Sequence, residues 1–186
     1  MKHITILGVG NTLWADEGFG VRAVQALHTR YVFPPNVRLI DGGAQDLALL
    51  PVVEEADVLI LVDAVEFGQE PGALVLADDD DVPHCLAAKP MSLHQTGVVD
   101  ALGLAKLHGT MPLHVRLIGM QPLDLENYGG PVTGPVRAQI NAAMAEVLAY
   151  LTRFGVAARP RAAHEKAPKL APASAALDNY EAGCFA

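Results

Sequence analysis

Two carboxylates and one imidazole in this chain stand where the sequence pattern brings them to one rim. Glu17 lies in GVGNTLWADEGFG (8–20), following the β-branched apolar run ITILGVG (4–10) on the same edge. Asp63 closes the apolar part of DVLILVDAV (57–65), where a strand would expose a carboxylate at its carboxyl end. His94 stands in SLHQ, in which Ser92 and Gln95 have capping-box spacing, so the imidazole falls in the first turn of a helix. Taken singly, each residue has a plainer role as a cap, a strand terminator or a solvated histidine. Together they supply two oxygens and one nitrogen, an incomplete coordination shell with room for water or a partner's group. Such a set suits zinc or nickel better than a soft thiolate metal.

Other chemistries find less support. Gly8-Val9-Gly10 follows a strand and precedes a helix, and Asp41 ends the next strand, as a dinucleotide-binding acid would. The third glycine of that fingerprint falls at Leu13, however, and Asp16 with Glu17 would oppose a pyrophosphate with like charge. Gly8 and Gly10 then read as turn glycines, and Asp16 as a first-turn acid favoured by the helix dipole. The serines, Ser92 and Ser174, are outside any G-x-S-x-G elbow. Cys85 beside His84 reads as a spectator, since sequence neighbours rarely present their side chains to one another. The aspartate run 78–81 reads as a solvated turn, with hard-cation binding the weaker alternative.

The elements that must position these residues alternate. Apolar runs at 4–10, 37–42, 57–65, 72–77 and 114–120 read as five strands. Helix-period segments begin at 18, 46, 96 and 135. This predicts an α/β fold: one domain with a five-stranded, mostly parallel, twisted mixed sheet and helices on both faces. The link EFGQEP is too short for a crossover, so the fourth strand is expected to run antiparallel at an edge. In open sheets of this kind, ligands bind outside the carboxyl ends of the strands.

Residues 78–92 lack a clear period and are expected to form a mobile lid. The domain is expected over 1–154, with an Ala/Pro-rich tail over 155–186 that is disordered or loosely docked. The formal charge of -8, with 13 Lys+Arg against 21 Asp+Glu, excludes a nucleic-acid footprint. Cys85 and Cys184 are too few for a disulfide framework, which suits a reducing, cytoplasmic compartment. No apolar run reaches the roughly 18 residues of a membrane span.

The blocks GVGNTLWADEGFGVRAVQAL, VRLIDGG, LILVDAV, SLHQTG and IGMQP, in this order over about 4–153, resemble the hydrogenase maturation proteases. The resemblance implies a monomeric α/β endopeptidase that removes a short carboxyl-terminal extension from the large-subunit precursor of a nickel-iron hydrogenase after nickel insertion. It implies Glu17, Asp63 and His94 as catalytic, metal-contacting residues, the three that the strand ends also select. Nickel would be held by the protein or supplied by the substrate, with zinc or cadmium as substitutes in vitro. Ala44 and Asp46 replace a threonine and a glycine common in that family, which bears on the hydrogenase recognised. The alternative class is a non-catalytic dinucleotide-binding or chaperone-like protein, which has no need of all three residues together.

Overall fold

A computed structural model describes residues 1–45, 47–87 and 93–172, with the backbone alone at 87, 93–95 and 171. The chain runs β1 (Ile4–Val9), α1 (Phe19–Arg30), β2 (Tyr31–Val32), β3 (Val37–Gly43), α2 (Leu50–Glu54), β4 (Val58–Ala64) and β5 (Leu74–Asp78). It continues through α3 (Asp81–Ala87), α4 (Leu93–His108), β6 (His114–Met120), α5 (Gly134–Ala138), α6 (Ile140–Thr152), β7 (Arg159–Pro160) and β8 (Ala171–Pro172). Short 3-10 turns lie at Ala15–Gly18 and Leu47–Leu49.

The sheet order is β5-β6-β4-β1-β3-β8. β5 alone runs antiparallel, at the edge beside β6, because only a tight link joins it to β4. The five expected strands are present, and the two-residue β8 adds a sixth beside β3. Every residue of β1 and of β4 is buried, since helices cover both faces of the sheet centre. On one face, α1 presents Phe19, Ala23, Val24 and Leu27, and α6 presents Ala143, Met144, Val147 and Leu151, all at helical spacing. On the other face, Val98, Ala101, Leu102 and Ala105 of α4 join Leu49, Val52 and Val53 over Leu59, Leu61 and Leu117.

Two expectations are corrected. The segment from 78 is not a loop as far as Ala87: β5 runs to Asp78 and α3 begins at Asp81. Val82 and Leu86, one helical turn apart, are buried in the core, and Pro83 falls in the first turn, where its missing N–H costs no bond. Two of the four aspartates are bound to β6: Asp78 pairs with Arg116 (2.7 Å) and Asp79 accepts from the Val115 amide (2.9 Å). Residues 88–92 of the expected lid lie outside the described residues.

The tail, expected to be disordered or loosely docked, is held at several points as far as Pro172. β7 pairs antiparallel with β2, and β8 pairs parallel with Ile40 and Asp41 of β3. Arg161 donates to the carbonyls of His28 and Tyr31 (both 3.0 Å), and His28 Nε2 contacts the Pro168 carbonyl (2.7 Å). These contacts use main-chain carbonyls and one long cation, so apolar periodicity does not mark them. Residues 173–186 lie outside the described residues. Among the described residues, no helix is long and apolar enough to cross a membrane.

Candidate active site

β4 brings the first carboxylate. Its residues alternate between the two core faces, and Asp63 shares the face of Leu59, Leu61 and Val65, the one covered by α4. The Asp63 side chain is buried (1% exposed), and its Oδ1 accepts from the Ala64 amide (2.8 Å). Withdrawing a carboxylate from water costs several kcal/mol, so this one is a poor choice for stability alone.

Beside it on β6, in register, is Gly119. A Cβ there would stand 2.6 Å from the Phe67 ring, so the glycine makes room for Phe67 to wall the region next to Asp63. Phe67 is fixed in turn by Gln121, buried at 3% exposure. Gln121 Oε1 accepts from the amides of Phe67 (2.8 Å) and Gln69 (3.2 Å), and its Nε2 donates to Glu66 (3.0 Å).

The second carboxylate comes from the turn after β1. Gly10 has φ +126°, a conformation that L side chains rarely adopt, and a Cβ there would collide with the Glu17 carbonyl oxygen. Gly8 and Gly20 similarly let α1 approach β1 and β4, where side chains would meet backbone. The glycine loop therefore closes on its own acidic turn, Ala15–Gly18, which packs against β4. A dinucleotide pyrophosphate would need the volume that this turn fills. Asp41, the other residue of that reading, instead accepts from the Gly43 amide (3.1 Å) at the end of its own strand.

The histidine comes from α4. The last residue of α4, His108, bonds Glu54 (2.8 Å) just before β4 begins, and Glu54 is held below the usual carboxylate range by His108 and Thr110. Sixteen helical residues rise about 24 Å, and seven strand residues about 23 Å, so α4 spans the length of β4. Its first turn, with the backbone of His94, thus stands at the carboxyl end of β4 and on the face that Asp63 shares. The His94 side chain lies outside the described residues. Among the described residues, no three His, Cys, Asp or Glu side chains are gathered as a metal site. The donor set itself, two hard oxygens with an imidazole, fits nickel or zinc.

A thiol nucleophile is disfavoured. Burial pushes the Cys85 thiol up from its ordinary value, and Asp81 raises it further, which depletes the reactive thiolate at neutral pH. His84 turns its Nδ1 to the Asp80 carbonyl (2.8 Å) of its own helix start. Cys85→Ser is expected to keep activity within about twofold, and iodoacetamide at neutral pH should leave the rate of the wild-type protein unchanged. A rate that follows alkylation of Cys85 would reverse this assignment.

Sequence reasoning missed three polar residues at this rim. Asp16 is fully buried and bonded to Thr133 and to the loop after β6, while Gln121, also buried, ties the start of that loop to Glu66 and Phe67. A polar residue closing an apolar strand was the available signal for Gln121, as it was for Asp63. Nothing local distinguishes Asp16 from an exposed first-turn acid.

A family model described as hydrogenase maturation protease matches residues 21–150. The hydrogenase expression/formation protein HupM of Azotobacter chroococcum mcd 1 is 52% identical over 180 residues, covering 97% of this chain and 85% of that protein. The hydrogenase 2 maturation protease of Escherichia coli strain K12 is 40% identical over 162 residues, covering 87% of this chain and 98% of that protein. Among solved structures, the hydrogenase maturating endopeptidase HybD from E. coli superposes with a TM-score of 0.82 at 38% identity, covering 87% of this chain and 98% of that one.

Proposed function

Because the chain belongs to the hydrogenase maturation protease family, we propose that it removes the carboxyl-terminal extension of a nickel-iron hydrogenase large-subunit precursor after nickel insertion. The observation that carries this reading is the buried Asp63 carboxylate at the end of an otherwise apolar central strand, with the Glu17 turn packed on that strand. Nickel belongs to the substrate: it arrives in the precursor, and Glu17, Asp63 and His94 would hold it, with zinc or cadmium as substitutes in vitro. Bound there, the metal supplies a Lewis acid beside the scissile carbonyl.

This chain's own residues do the remainder. Holding the precursor at three points converts a bimolecular encounter into an oriented one, which is where much of a hydrolase's advantage lies. Phe67 and the buried strand ends restrict water around Asp63, which strengthens every electrostatic interaction made there. Recognition of nickel explains how cleavage would wait for metal insertion without a serine or cysteine nucleophile. The protein is proposed to act as a monomer in the cytoplasm.

The experiment is a comparison of two precursors. Purified protein incubated with nickel-loaded large-subunit precursor should release the carboxyl-terminal peptide, seen as a mass loss on intact-protein mass spectrometry. The nickel-free precursor should remain intact. Cleavage of both at one rate would remove nickel recognition from the mechanism, and cleavage of neither would remove the peptidase reading.

A further inference from the structure

The proposed mechanism leaves one buried ion at the rim unused. Asp16 is fully buried (0% exposed), and its carboxylate collects four donors. Oδ2 accepts from the amides of Leu123 (2.9 Å) and Asp124 (3.0 Å) and from the Thr133 hydroxyl (2.9 Å), and Oδ1 accepts from the Thr133 amide (2.7 Å). The Asp16 amide also donates to the Asp124 carbonyl (3.0 Å). An acid serving only the helix dipole would face solvent and its own first turn. These bonds instead reach partners 107 to 117 residues away in the loop between β6 and α5. Charge-assisted bonds of this kind are the strong ones, and a buried carboxylate is retained only when they are made.

Glu17 is the next residue, within the same four-residue 3-10 turn. The turn is closed from its other side by Gly10, where no side chain fits against the Glu17 carbonyl. We propose that Asp16 is the positioning residue for Glu17: it clamps the turn to the loop 121–133 so that the Glu17 carboxylate is held over the strand ends. The proposal rests on the reading of Glu17 as a site residue. Asp16→Asn is nearly isosteric, but it points an NH2 group into a ring of donors. Thr133→Val removes one donor and leaves the carboxylate in place, a milder form of the same lesion.

The test combines steady-state processing of nickel-loaded precursor with amide hydrogen exchange of the free protein. For Asp16→Asn, kcat should fall about tenfold, as when an outer partner of a metal ligand is lost, with KM within about twofold. Exchange at the Glu17 and Gly18 amides should quicken about tenfold while β4 keeps its protection. Thr133→Val should move both readouts in the same direction by less, and it carries the test if Asp16→Asn does not fold. A merely stabilising Asp16 would instead lower the melting temperature and quicken exchange throughout, with kcat per folded molecule retained, and this overturns the proposal. So does a rise in KM at constant kcat. If the wild-type protein processes no precursor, the proposed function falls by itself; the exchange readout then decides, and unchanged protection at Glu17 overturns the clamp.

Discussion

Asp63→Asn is expected to lower kcat for nickel-loaded precursor by about a hundredfold or more, the scale seen when a preorganised electrostatic group is removed, in a protein that still folds. The substitution keeps the shape of the side chain, and asparagine's amide oxygen can still accept from Ala64. What it removes is an ion in a fully buried strand, where charge costs several kcal/mol of solvation. A residue retained only for folding would lose stability with kcat per folded molecule unchanged; one retained for chemistry loses kcat in the folded protein. Glu17→Gln and His94→Ala are expected to act in the same direction on kcat. Thermal melts beside precursor-processing rates decide the matter, and an Asp63→Asn protein that works within about tenfold of wild type would place Asp63 outside the reaction.

Gly20→Ala is expected to destabilise the fold by roughly 2–3 kcal/mol, lowering the melting temperature by about 5–10 °C for a chain of this size. Helix propensity alone argues the other way, since alanine in a helix gains about 1 kcal/mol over glycine. Space decides against it. A Cβ at Gly20 collides with the Val62 and Val9 carbonyl oxygens, which belong to the two central strands and cannot rotate aside. α1 would have to lift from the sheet, taking with it Phe19 and the turn that carries Glu17. A melt by circular dichroism with no shift would mean that α1 tolerates a wider spacing than its glycine contact indicates.

The strands were legible because their apolar β-branched runs are long and both faces of the sheet are covered. Runs expected at 57–65 and 114–120 correspond to β4 (Val58–Ala64) and β6 (His114–Met120), and the short EFGQEP link foretold the antiparallel edge. α3 was not legible: its two buried residues, Val82 and Leu86, are too few to set a period beside four aspartates. β8 pairs through two residues with no apolar signature. At the candidate site, Asp63 was singled out because it closes an apolar strand, and Glu17 because it follows the first strand on the same edge. Asp16 was read only as a first-turn acid favoured by the helix dipole, because its partners, Leu123 to Thr133, lie more than a hundred residues away, where no local rule reaches.

The order of strands also dictates when the site can exist. β4 lies between β1 and β6, with Val58 paired to Ile4 on one side and to His114 on the other. A ribosome delivers roughly 5–20 residues each second, so Glu17 and Asp63 leave the exit tunnel well before β6 arrives to seal the sheet. Parallel pairings between distant segments are slow to form, because the connecting chain must be ordered before they reward it. Until the loop ending at Thr133 has emerged, Asp16 lacks at least two of its four donors, and before Leu123 it has none. A nascent chain stalled before that point carries both acids and β4, yet cannot assemble the rim on which they act.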